Sequence, residues 1–133
     1  MYKRDGLASG FWDSMQKATL KSMPKELQEA YLRTAPHPDQ LPVFHDKCKQ
    51  RMLEFQDWKA EDIHAITAPT LVMIGDHDII RPEHAVEMFR LLPQGQLAVL
   101  PGTDHMSIVK QGDRLAGLVE AFLDAPRPKE KKQ

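Results

Sequence analysis

The sequence predicts an α/β fold, in which an N-terminal helical region precedes a β-α-β-α unit with parallel strands. Up to about residue 60, apolar residues recur at helical spacing and no segment has the pattern of a strand. From residue 63 onward, two short apolar runs are each followed by a helical pattern, as is typical of parallel sheets. We therefore predict a helical region at 1–62, the β-α-β-α unit at 63–125 and a flexible basic tail at 126–133.

Three helices are predicted in the first region. Apolar residues at i, i+4 and i+7 from Phe11 place the first helix at about 9–21. Ser22 is the predicted N-cap of the second helix, and the third begins near Asp39. The apolar stripe of the third helix consists of Leu41, Phe44, Cys48, Met52 and Phe55.

The second region contains the two predicted strands. Thr70 to Ile74 is an apolar, partly β-branched run between a proline and a glycine, which is typical of a strand buried in a parallel sheet. Pro82 begins the next helix, Gln96 to Leu100 forms the second strand, and a last helix covers about 113–123. Two parallel strands alone leave two unpaired edges and bury little surface. The sequence therefore predicts that this sheet needs partner strands.

Composition narrows the class of protein. The 133 residues are 41% hydrophobic and 28% charged, which fits a globular domain. A net charge of −1 gives no reason to expect nucleic acid or an acidic membrane surface as a partner, and no apolar run approaches the roughly 20 residues of a membrane span. Cys48, the single cysteine, excludes an internal disulfide and a cysteine-rich zinc site, and it suits a reducing cytoplasm. No cofactor is predicted.

Acids and histidines follow both predicted strands, at 76–78 and at 103–105. Because the carboxyl ends of neighbouring parallel strands lie together, Asp78 and His105 are able to meet. A carboxylate that accepts a hydrogen bond from an imidazole fixes its tautomer, and the other ring nitrogen then acts as a general base. On these grounds alone, Asp76 is better explained as a turn residue that caps the next helix, because it lies directly at the strand end. Asp78 is explained equally well as a turn residue, and His105 equally well as a surface histidine. The spacing matches no recognised metal motif, so no metal is predicted.

Both segments resemble α/β-hydrolases. The run Ile66 to Asp78, I-T-A-P-T-L-V-M-I-G-D-H-D, resembles their I-x-x-P-T-L-V-x-x-G-x-x-D segment. Leu97 to His105 resembles their segment in which a hydrophobic strand precedes Gly-x-x-His. The order of acid and histidine also agrees with that family. The resemblance covers residues 57–125 well and residues 1–56 loosely, as cap helices.

The resemblance implies a partial α/β-hydrolase fold, with lid helices followed by the last two strands of the sheet. It makes Asp78 the triad acid, His105 the general base and Asp76 a structural aspartate that braces the loop. The implied reaction is acyl transfer from a small, apolar, ester-like substrate to water. Apolar residues of the helical region would partly line its pocket, namely Phe11, Trp12, Phe44, Met52 and Phe55.

The family's nucleophile is not recognisable in this sequence. The sequence has four serines, at positions 9, 14, 22 and 107, and none of them lies in a Gly-x-Ser-x-Gly elbow. Ser107 is instead a predicted helix cap. The His-Gly segment that forms the family's oxyanion hole is missing as well. We therefore expect a C-terminal portion of a hydrolase that is inactive alone and acts with a companion N-terminal half. The alternative is that the chain is a non-catalytic interaction module or a homodimer, which in either case assembles through its exposed strand edges. A self-sufficient enzyme that activates water directly ranks last, because it lacks an oxyanion hole.

Overall fold

The structure is a computed structural model that describes residues 1–126. It contains two compact units, one formed by Ser9–Gln56 and the other by Met1–Ala8 together with the chain from Asp57 onward. This division differs from the predicted boundary after residue 62, because the first eight residues hydrogen-bond within the second unit. For example, Trp58 donates its backbone N–H to the carbonyl of Tyr2 at 2.9 Å. Apart from residue 126, the predicted basic tail lies outside the described residues.

The first unit contains three helices, α1 (Phe11–Lys17), α2 (Lys25–Thr34) and α3 (Leu41–Leu53). The first helix therefore ends well before residue 21. The prediction that Ser22 caps the second helix is wrong, because Ser22 ends a separate 3₁₀ turn and Pro24 precedes α2. Proline suits a helix start, since its φ is fixed near the helical value and its missing N–H would be unpaired there.

The apolar stripe of α3 packs within this unit. Phe44 stacks on Tyr31 of α2 with ring centroids 4.9 Å apart. Phe44, Cys48 and Met52 line an apolar cavity of about 330 Å³. Phe55 lies beyond the end of α3, so the predicted helix extended too far.

The second unit has the predicted strand, helix, strand, helix order, with one short helix before it. Its elements are α4 (Ala60–His64), β1 (Thr70–Gly75), α5 (Pro82–Leu91), β2 (Gly95–Leu100) and α6 (Gly112–Asp124). The strands pair in parallel as a two-stranded sheet, with Thr70 opposite Gly95 and Gly75 opposite Leu100. Both strands therefore end at the same edge, from which the loops with the acids and histidines begin.

The core of this unit is small. Tyr2, Ile63 and Leu92 form its buried cluster, and partly buried side chains of β1 and α5 pack around them. By contrast, α6 contains no buried residue, and Val99 of β2 is 43% exposed. Burial is thus concentrated beside the strap of residues 1–8 and α5. Between residues 1 and 126, no helix has both the length and the hydropathy of a membrane-spanning segment.

Candidate active site

Asp78 and His105 meet at the carboxyl ends of the two strands. The Nδ1 atom of His105 lies 2.9 Å from Oδ1 of Asp78. The Asp78 side chain is only 4% exposed, whereas that of His105 is 49% exposed. Because the carboxylate accepts the bond, the imidazole proton is assigned to Nδ1, which leaves Nε2 to accept a proton. The pair therefore has the geometry of a buried acid that orients an accessible base.

A tight turn after β1 holds the acid in place. The Asp78 carboxylate also accepts the backbone N–H of Ile80 at 2.9 Å. The backbone N–H of Asp78 in turn donates to the carbonyl of Gly75 at 3.3 Å. The side chain is thus fixed by its own loop as well as by His105.

The two loops approach closely because β1 ends in glycine. A Cβ atom on Gly75 would collide with the backbone carbonyl of Thr103. That carbonyl accepts the N–H of His77 at 3.0 Å, and the fully buried Thr103 hydroxyl accepts Nε2–H of Gln111 at 2.9 Å. Backbone contact between the loops, rather than side-chain reach, therefore brings the acid and the histidine together.

Asp76 joins the same two loops. Its Oδ1 atom accepts the backbone N–H of Thr103 at 3.1 Å. The N–H groups of Gly102 and Thr103 lower the pKa of this carboxyl because they stabilise its ionised form. This contact fits the bracing role that the resemblance implies for Asp76.

Acid should therefore weaken the fold partly through Asp76. Its pKa is depressed in the folded state, so its contribution to stability is present above the ordinary aspartate value of 3.8 and is lost as the pH falls through the folded pKa. We expect the free energy of unfolding to fall less steeply between pH 4 and pH 2 in Asp76→Asn than in the unaltered chain. Urea unfolding across this range measures both slopes, and equal slopes would contradict the bracing role.

The loop that carries His105 is closed by its neighbour Asp104. The Asp104 carboxylate accepts the N–H groups of Met106 at 2.8 Å and Ser107 at 2.7 Å, which lower its pKa. The hydroxyl of Ser107 accepts the N–H of Asp104 at 2.9 Å and makes no helix-cap bond. Ser107 therefore lies at the N-cap position of the short 3₁₀ helix Ile108–Lys110, but its hydroxyl closes the loop and does not cap the helix.

Sequence reasoning assigned no role to His84, which proves to be a buried polar residue of this unit. Its side chain is 1% exposed, and Nε2 accepts the backbone N–H of Tyr2 at 3.2 Å. No periodicity signals a contact between residues so far apart in the chain. Within residues 1–126, no group of three or more acidic, histidine or cysteine side chains is placed to hold a metal ion.

Comparison with known proteins identifies a similar sequence and similar solved structures. No family model matches the chain. A non-heme chloroperoxidase from Burkholderia pyrrocinia is 36% identical over 69 residues, which are 50% of this chain and 25% of that enzyme. A solved serine hydrolase involved in carbazole degradation is 19% identical, with a TM-score of 0.56 over 70% of this chain and 36% of that chain. An α/β-hydrolase enzyme from a lagoon-sediment metagenome of Mar Chica, Morocco, is 19% identical, with a TM-score of 0.51 over 73% of this chain and 43% of that chain.

These matches confirm the predicted partial α/β-hydrolase fold. The matched part of the chain spans between 25% and 43% of the length of the three proteins. The two-stranded parallel sheet and its helices thus represent a portion of a larger architecture. The chain therefore has the fold of a part of the α/β-hydrolases, and half of its sequence is similar to a non-heme chloroperoxidase.

Proposed function

We propose that this chain supplies the acid and the general base of a hydrolase site, and that a companion N-terminal half supplies the nucleophile and the oxyanion donors. The observation that carries this proposal is the 2.9 Å contact between Nδ1 of His105 and the buried carboxylate of Asp78. An acid that is itself held by the N–H of Ile80 keeps the imidazole in one tautomer and orientation.

The proposed reaction is acyl transfer to water. Nε2 of His105 takes the proton of a hydroxyl nucleophile as that hydroxyl attacks an ester-like carbonyl, and it then protonates the leaving group. Asp78 remains ionised and stabilises the imidazolium. Water attacks the acyl intermediate in the same way, and the histidine returns its proton to the nucleophile.

The proposed substrate is small and apolar. The resemblance of the Asp78 and His105 segments to those of α/β-hydrolases supports this proposal, since it implies an apolar, ester-like substrate. The exposed, unbridged Cys48 suits a reducing compartment, and we propose the cytoplasm.

The alternative is an interaction module that assembles through its strand edges, with a second copy of the chain as partner. The two-stranded sheet and the absence of buried residues on α6 favour it. Multi-angle light scattering separates the two cases. A homodimer that also shows no hydrolase activity in the experiment below would favour the alternative, whereas a monomer would exclude it.

The proposal is tested with a chimera. Residues 57–125 of this chain, which include Asp78 and His105, replace the corresponding segment of the chloroperoxidase, so that the rest of that enzyme completes the fold. We expect the chimera to retain that enzyme's turnover, and the chain alone to hydrolyse p-nitrophenyl acetate no faster than its His105→Ala variant. A folded chimera that is inactive, or an isolated chain whose turnover depends on His105, would contradict the proposal.

A further inference from the structure

The strap, residues Met1–Ala8, pairs with the loop that carries the acid. The N–H of Ala8 donates to the carbonyl of Ile79, and the N–H of Arg81 donates to the carbonyl of Gly6, both at 2.8 Å. Between these bonds, Leu7 and Ile80 form an antiparallel bridge. Ile80 is also the residue whose N–H binds the Asp78 carboxylate. A continuous set of hydrogen bonds therefore links the strap to Asp78 and on to His105.

His84 holds the other end of the strap. Its Nε2 atom accepts the N–H of Tyr2 at 3.2 Å, and its ring stacks on the Tyr2 ring at 4.8 Å with an interplanar angle of 19°. Gly6 lies so close to the ring that a Cβ atom there would collide with it. The fit requires a neutral imidazole with its proton on Nδ1, an atom that is buried and has no hydrogen-bond partner.

We propose that the strap positions the Asp78 loop, that neutral His84 is the positioning residue that keeps the strap in place, and that protonation of His84 releases it. The link to catalysis rests on the proposed function of the Asp78–His105 pair. A proton added to Nε2 removes the lone pair that accepts the Tyr2 N–H and sets two N–H groups against each other. The new charge is also buried.

The surroundings of His84 do not offset this cost. The titratable and charged groups near the ring are Glu87 of α5, Arg81 before it, and Asp5, Lys3, Tyr2 and the amino group of Met1 on the strap. Oε2 of Glu87 lies 3.8 Å from Nδ1, beyond hydrogen-bond distance, while its Oε1 accepts bonds from Lys3 at 2.7 Å and Tyr2 at 2.6 Å. Burial dominates and lowers the pKa of His84 below its ordinary value of 6.5. The strap is therefore stable above that pH and loosens as the pH falls through the lowered pKa.

Hydrogen exchange of the whole chain tests the pH dependence. We expect protection of the Ala8 and Arg81 amides, corrected for intrinsic rates, to fall roughly tenfold between pH 7.5 and pH 5 as the Tyr2 bond is lost. His84→Gln, which offers an amide acceptor that does not titrate, should keep its protection across this range. His64→Gln, which removes a histidine on α4, should behave as the unaltered chain. Equal pH dependence in His84→Gln and the unaltered chain would overturn the proposal.

The link to the acid is tested at pH 8, where histidine is neutral. Long-range ¹H–¹⁵N spectra report which nitrogen of His105 carries the proton. We expect His84→Leu, and independently Gly6→Ala, to shift His105 away from the Nδ1–H tautomer. A tautomer unchanged in both variants, although the strap amides have lost protection, would overturn the proposal. A His105 that lacks the Nδ1–H tautomer even in the unaltered chain would instead contradict the proposed function.

Discussion

Replacing His105 with alanine in the chimera is expected to lower kcat/KM by about 10⁵- to 10⁶-fold, as loss of the base does in hydrolytic triads. Asp78→Asn is expected to cost about 10⁴-fold, because an amide in place of the carboxylate favours the wrong tautomer and no longer stabilises the imidazolium. The ranking follows from the structure, since His105 is the exposed partner and Asp78 acts only through it.

The neighbouring histidine is the matched control for this experiment. His77 lies between Asp76 and Asp78, and its side chain is exposed. Its backbone N–H contributes to the loop by donating to the carbonyl of Thr103, and its side chain makes no contact with His105 that the structure shows. His77→Gln should therefore leave kcat/KM within about twofold of the parent chimera. A larger loss in His77→Gln than in His105→Ala would show that the wrong histidine has been assigned as the base.

Gly75→Ala is expected to produce the largest loss of stability among the substitutions considered. The added methyl group would meet the backbone carbonyl of Thr103, which belongs to a loop already fixed by the His77 N–H and the Asp76 carboxylate. Because backbone cannot rotate away as a side chain can, we expect the free energy of unfolding to fall by about 3 kcal/mol. Urea denaturation of the two proteins measures the difference.

Gly117 of α6 provides the opposite control. An added Cβ meets nothing within 4 Å there, and the residue lies inside an exposed helix. Gly117→Ala should therefore raise the free energy of unfolding by about 0.5–1 kcal/mol, because alanine loses less backbone entropy in a helix. If both alanines shift stability in the same direction, the close approach of the two loops at Gly75 is not the feature that requires glycine.

The sheet and the position of the candidate site were predictable because their signals are local. The apolar run from Thr70 ends in glycine, and the helix after it begins at Pro82, so the carboxyl end of β1 follows from sequence alone. Parallel pairing then places the loop of Asp78 beside that of His105, and the structure brings the two side chains into contact. Periodicity and strand spacing were sufficient to predict the end of β1 and the proximity of the two loops.

The strap was not predictable, because it depends on contacts between distant parts of the chain. The first eight residues contain too few apolar positions to show a period, and the pairing of Tyr2 with His84 crosses 82 residues. In the sequence, Gly6 has no feature that distinguishes it from an ordinary loop glycine, and only the structure shows the His84 imidazole beside it. Helix ends were missed for a different, local reason, since Ser22 has the residue type of a cap while Pro24 determines where α2 begins.

The tautomer of His105 in the isolated chain is the most direct test of the Asp78–His105 pair. Free imidazole prefers its proton on Nε2, so a proton on Nδ1 requires an acceptor held in place. At pH 8 we expect an Nδ1-protonated His105 in long-range ¹H–¹⁵N spectra, lost in Asp78→Ala and retained in His77→Gln. A His105 protonated on Nε2, or an Nδ1 proton that survives in Asp78→Ala, would contradict the claim that this acid orients this base.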